Sequence, residues 1–221
     1  ILVATMAVAT LGTTTQSCVA LATSSVGLAV LKQILLGGIT KGLNIFSDKN
    51  SFLANQLIEA ALPQQLKDVN STLQKLGLNS LVQKEKEYIA QAAAFTVDVS
   101  RPILTNAVNN LTAEDAARII QGGSGTATQI LKERTSEQLM AAIAPKVDAK
   151  LNEFGLVSTL NNALAGSNLL GTLLCGQSSN ALTGGISKFA SQQMVNGLFN
   201  IIQSHEQQNA STIMNSLNSI K

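Results

Sequence analysis

The stretch LPQQLKDVNSTLQKLGL, residues 62–78, decides the fold class. Its apolar residues Leu62, Leu66, Val69, Leu73 and Leu76 recur at intervals of 4, 3, 4 and 3. Only an α-helix brings that spacing onto one face. Pro63 sits where a helix tolerates its missing N–H, and Gly77 stands where a helix is closed by a left-handed residue. The same grammar recurs outward from this segment. Residues 25–46 read as a helix with apolar positions 28, 31, 35, 39, 43 and 46, weakened at its middle by Gly37, Gly38 and Gly42. Asp48, Lys49 and Asn50 read as a turn.

Towards the C-terminus, Asn79 to about Val99 reads as a third helix, with Lys84, Glu85, Lys86 and Glu87 as its wet face and Pro102 interrupting or restarting it. Thr112 followed by Glu114 and Asp115 is an N-cap with acids in the first turn. It starts a short helix over residues 113–121 that Gly122 and Gly123 stop. Thr135, Ser136, Glu137 and Gln138 fit a capping box that opens another helix, bent near Pro145 and closed by Gly155. Residues 166–185 are glycine-rich and read as the loosest part, a helix resumes by about Ile186, and a last short one covers residues 212–220. No segment alternates with period two, so no sheet is expected. The expectation is all-α: a single-domain irregular helical bundle of at least six helices.

Composition agrees. The chain has 221 residues, 45% hydrophobic, 13% charged and only 3% aromatic, with no Trp and one Tyr. β-Sheet proteins draw more heavily on aromatic and β-branched residues. A net charge of +2 with no Lys/Arg stripe disfavours nucleic acid as a partner. One His and two Cys, His205, Cys18 and Cys175, make no zinc pattern, so no metal and no cofactor is expected. His205 reads as solvated, and Cys175 as a small apolar residue.

The N-terminus carries the clearest targeting signal. ILVATMAVATL, residues 1–11, has the length of a signal-peptide apolar core and is too short to span a bilayer. Polar residues follow, then Cys18. Three readings stay open: Cys18 as the lipidated first residue of a lipoprotein, cleavage after Ala22, or an uncut core helix. Residues 1–22 are thus assigned to an anchor region and 23–221 to the helical domain, exported to the periplasm or held at the outer membrane by lipid alone.

Two constellations merit attention. Gly122, Gly123, Ser124, Gly125 and Thr126 precede a helix and could cradle an anion on backbone N–H groups, or form a tight turn between helices. No Walker pattern is present. All three arginines, Arg101, Arg118 and Arg134, lie in one block with Asp98, Glu114, Asp115 and Glu133. Glu114 and Arg118 stand four apart. Arg134 shares a face with Ala127, Ile130 and Leu131, so a structural pair with Asp98, Glu114 or Asp115 is expected. Thr128, Lys132 and Thr135 share a neighbouring face. With Gly123 and Thr126 they form the candidate ligand cleft.

The order of motifs resembles the bacterial family known as domain of unknown function 4197. The resemblance rests on GLAVLKQILLGGITKGL (27–43), FLAN (52–55), LPQQLKDVNSTLQKLGL (62–78), RPILTNAVNNLTAEDAARIIQGG (101–123), TATQILKERTSEQL (126–139) and QQMVNGLFNII (192–202). It implies an exported, all-helical protein and no assigned activity. It also implies an acidic residue after the glycine pair and another after the Thr/Ala turn, where this chain has Ser124 and Gly125, and Gln129.

No Ser-His-Asp or Cys-His arrangement follows from spacing. Two functions are therefore carried forward. One is a non-enzymatic envelope module binding an envelope protein or small ligand, with self-association possible through the charge-poor residues 154–204. The other is a small-ligand binder or enzyme using the cleft around residues 122–135.

Overall fold

In a computed structural model that describes residues 25–164 and 180–218, every described element is a helix. Cys18, Cys175 and the anchor region fall outside these residues. The helices are α1 (Ser25–Ser47), α2 (Lys49–Ala54), α3 (Gln56–Ala60), α4 (Gln64–Lys75), α5 (Asn79–Ala94), α6 (Val97–Asn109), α7 (Ala113–Gly122), α8 (Thr126–Glu153), α9 (Leu156–Leu164), α10 (Asn180–Gln208) and α11 (Ala210–Asn218). The fold is all-α.

Local chemistry sets the boundaries. Leu78 N–H donates to Leu73 O at 2.8 Å and Gly77 N–H to Gln74 O at 2.9 Å, with Gly77 at φ 75°. That is a Schellman closure of α4. Asp48 and Asn55 accept from the first-turn amides of α2 and α3, so the expected turn at residues 48–50 is the start of a short helix. The break after α5 falls at Phe95 and Thr96, ahead of Pro102, which lies inside α6.

Thr135 and Ser136 do not cap a helix. They lie within α8, where their hydroxyls donate to Leu131 O and Lys132 O at 2.7 Å. A hydroxyl that back-bonds to the preceding turn needs no helix end. Residues 180–185, expected as loop, open α10.

One core joins all the layers. α10 packs against α1, α3, α4, α8 and α9, and α1 packs also on α6 and α11. Leu31, Leu35, Leu43 and Phe46 of α1 are sealed, as are Met194, Leu198 and Ile202 of α10. α1 is long and apolar enough to cross a membrane by length and composition, yet here it is a core helix. Among the described residues of the charge-poor stretch 154–204, Leu156, Leu160, Ile186, Ala190, Val195 and Phe199 are interior.

The glycines of α1 let helices approach closely. A Cβ at Gly42 would sit 2.5 Å from Leu198 Cδ1, and one at Gly38 3.4 Å from the Ile202 Cα. His205, expected in solvent, is half-buried against Gly37 and Gly38. The tightest approach to backbone is at Gly27, where a Cβ would lie 2.5 Å from the Ser216 carbonyl oxygen.

Gly27→Ala is therefore expected to force α1 and α11 apart and destabilise the fold by about 1–3 kcal/mol. Gly37→Ala meets only the tip of His205, at 3.1 Å. It should be neutral or stabilise by up to about 1 kcal/mol through helix propensity. Urea melts of the two variants measure the difference.

Candidate functional site

The turn between α7 and α8 is an anion cradle, and its occupant is the chain's own Glu206. Gly125 and Ala127 N–H donate to Glu206 Oε1 at 2.9 and 3.1 Å. Thr128 donates to Oε2 from both its N–H, at 2.8 Å, and its hydroxyl, at 2.6 Å. Gly125 makes this possible by taking φ 93°, a left-handed conformation open mainly to glycine. The N-terminus of α8 carries unpaired amides and the positive end of its dipole, so a carboxylate is the fitting partner.

The candidate cleft is thereby accounted for residue by residue. Gly123 ends α7, its N–H donating to Ile119 O at 2.8 Å. Thr126 lies against Gly122. Thr128 is buried and bonded to Glu206, Thr135 is buried and bonded within α8, and Lys132 is half-buried beside them. The structure places Gly123, Thr126 and Thr128 at the start of α8, where Glu206 holds the amides that an external anion would need, and leaves Lys132 and Thr135 further along the helix.

The arginines separate. Arg134 donates from both terminal nitrogens to the two oxygens of Asp115, at 2.9 Å for Nη1–Oδ2. Asp115 is also the third residue of the α7 capping box, accepting from the Thr112 N–H at 2.9 Å while Thr112 Oγ1 accepts from Asp115 N–H. Burial pushes the Asp115 carboxyl up, but the Arg134 and Thr112 hydrogen bonds outweigh it and hold the group below its ordinary range. Arg118 pairs with Glu133 at 3.4 Å rather than with Glu114. Arg101 and Glu114 are exposed and enter no ion pair among the described residues.

The group that sequence reasoning misplaced is Glu85. It belongs to the charged run 84–87, yet it is fully buried, between Leu81 and Ile89 on the inner stripe of α5. Neither carboxyl oxygen has a hydrogen-bond partner. Burial drives its pKa up to about 7. The nearby Asn70 amide and Lys86 pull it back only partly, and Glu59 pushes it further up. Asn70 lies close enough to favour the charged form without an aligned hydrogen bond.

Glu85 forms part of the lining of a cavity of about 210 Å³ between α2, α3, α5 and α10. Its apolar walls are Phe52, Leu53, Ile58, Leu62 and Ile89. Gln193 of α10 enters from the far side, its Nε2 donating to Ile58 O at 3.3 Å while its Oε1 is buried without a partner. Lys86 and Glu59 also line it, paired at 3.0 Å and both partly exposed. A second hollow, of about 270 Å³ beside Tyr88 and Phe154, has no such buried unpartnered group in its lining. Among the described residues no cluster of His, Cys, Asp and Glu has the makings of a metal site.

Fold and cavity together define an all-α protein in which, among the described residues, a small cavity between helices is lined by a buried carboxyl without a partner. The chain belongs to the family described as protein of unknown function, DUF4197, which it matches over residues 22–218. No curated protein and no solved structure shows significant similarity to it.

The two buried glutamates carry opposite expectations. Glu206→Gln replaces an oxygen by an NH₂ facing donors and should cost about 2–3 kcal/mol, the range for hydrogen bonds to a charged group. Lys132→Ala on the same helix should stay within about 0.5 kcal/mol. Denaturant melts decide both.

For Glu85 the folded pKa of about 7 lies above the ordinary 4.5. The folded chain thus keeps a proton that the unfolded chain releases between those values. Its contribution to stability is fully present below about 4.5 and is lost as pH rises through about 7. Glu85→Gln is expected to match the parent near the acid end of that window. Above it the variant should be more stable by up to about 3 kcal/mol. Melts of parent and variant across pH test this.

Proposed function

We propose that the protein is a non-enzymatic binding module of the bacterial envelope, exported and tethered by lipid at Cys18, whose ligand site is the cavity at Glu85. The observation that carries the reading is a cavity with apolar walls and a buried carboxyl without a partner. Ligand sites are typically apolar hollows with a few convergent polar groups and a titratable residue shifted from its usual range. A group that costs stability above neutral pH is retained most simply for what it binds.

A carboxyl near 7 in a cavity is also what a general acid requires. Against that reading, no Ser, Cys, Thr or His among the described residues lines the cavity, and the second carboxylate, Glu59, is held by Lys86. Binding is the better account.

The tether rests on the apolar run at residues 1–11 followed by Ser17 and Cys18. Cys18→Ala is expected to move the protein from the membrane to the soluble periplasmic fraction and to remove a lipid-sized mass. Unchanged fractionation together with an unmodified parental mass would count against the tether.

A further inference from the structure

We propose that the cavity at Glu85 takes a small amphiphilic cation, a primary ammonium on a short apolar body, with Glu85 as its counter-charge and Gln193 Oε1 as a second acceptor. The inference rests on the reading of this cavity as a ligand site and names the chemistry of the ligand.

Unmet hydrogen-bonding capacity sets the chemistry of the ligand. Among the buried side-chain atoms without partners are both oxygens of Glu85, Oε1 of Gln193, and Oδ1 and Nδ2 of Asn70. Glu85 and Gln193 line the cavity and contribute three of these acceptors and no donor, while Asn70 lies behind the lining. If the Asn70 NH₂ turns to Glu85, acceptors remain in excess. A ligand that completes the site must bring donors and few acceptors of its own. An ammonium has three donors and no acceptor. A carboxylate or phosphate brings only acceptors and negative charge, and a hydroxyl brings two acceptor lone pairs for its one donor.

Charge points the same way. The charged groups that act on Glu85 are Lys86 on its own helix and Glu59 on α3. These two are tied to each other at 3.0 Å, so neither neutralises the carboxyl. α4 presents Asn70 and α10 presents Gln193, both uncharged. A cation placed against Glu85 gains its full attraction in a poorly screened interior. Phe52, Leu53, Ile58 and Leu62 supply an apolar wall for the ligand's body, and Leu53 is partly exposed. An alkyl chain thus has a path from solvent.

Without a cation, a protonated Glu85 supplies a donor of its own. With one, the carboxyl ionises, so binding releases a proton and affinity falls as pH drops below about 7.

The test is a titration of the full chain with n-hexylammonium, hexan-1-ol and hexanoate, three probes of one shape and different charge. Binding is followed by calorimetry and by the NMR signals of the Gln193 amide and Ile89. Hexylammonium is expected to bind about tenfold or more tighter than hexanol, and hexanoate not at all. Glu85→Gln should erase the preference for the cation while hexanol binding persists, which also reports a folded cavity. Gln193→Leu should weaken the cation severalfold. If hexanol binds as tightly as hexylammonium, or Glu85→Gln leaves cation affinity unchanged, the cation inference is overturned and the ligand-site reading stands. If none of the three probes perturbs Gln193 or Ile89, both fall.

Discussion

The grip of Glu206 on the first turn of α8 is the constraint on which the rest of the architecture depends. It joins residues 81 and 78 positions apart through hydrogen bonds to Gly125 and Thr128. A helix end buried without partners would be costly, because each lost amide hydrogen bond inside the protein carries a desolvation penalty. One carboxylate satisfies three amides and a hydroxyl at once. It also fixes the register of α10 against α8, the two long helices that organise the core. α1 then packs on α10, and α7 is held to α8 by the Arg134–Asp115 pair.

Two glutamates are buried in this molecule, and their surroundings differ completely. Glu206 is surrounded by donors that were already present at a helix end. Glu85 is enclosed by Leu81, Ile89 and the side-chain amides of Asn70 and Gln193, and receives no aligned hydrogen bond. The first arrangement stabilises structure. The second is unfavourable at the pH where the carboxyl ionises, and that contrast is what marks the cavity as the place to look for function.

Much of this was legible in the residues. Period and caps placed α4 and α7 closely, because a single strong stripe and a dedicated stop residue agree there. The position of Glu85 was also written in the spacing Leu81, Glu85, Ile89, each four apart, which puts all three on one helical face. The charged neighbours Lys84, Lys86 and Glu87 masked it, since a run of charge reads as a solvated surface. The false capping box at Thr135 had the opposite cause. The pattern of residue types is the same whether a hydroxyl caps a new helix or back-bonds within a continuing one, and only the packing of α8 chooses. α10 was underestimated because Gly184 and Gly185 suggest loop, whereas both lie within the helix. The cradle near residue 125 was legible as a helix start preceded by glycines, but its occupant was not, because nothing local to residues 204–208 names a partner there.

The position of α1 has a consequence for the timing of folding. Its buried face is completed by α10 and α11, which lie far from it along the chain. Residues near 27 therefore wait for residues near 216, and those near 42 for those near 198. Loop closure over such distances is slow, and the apolar stripe of α1 stays open until it occurs.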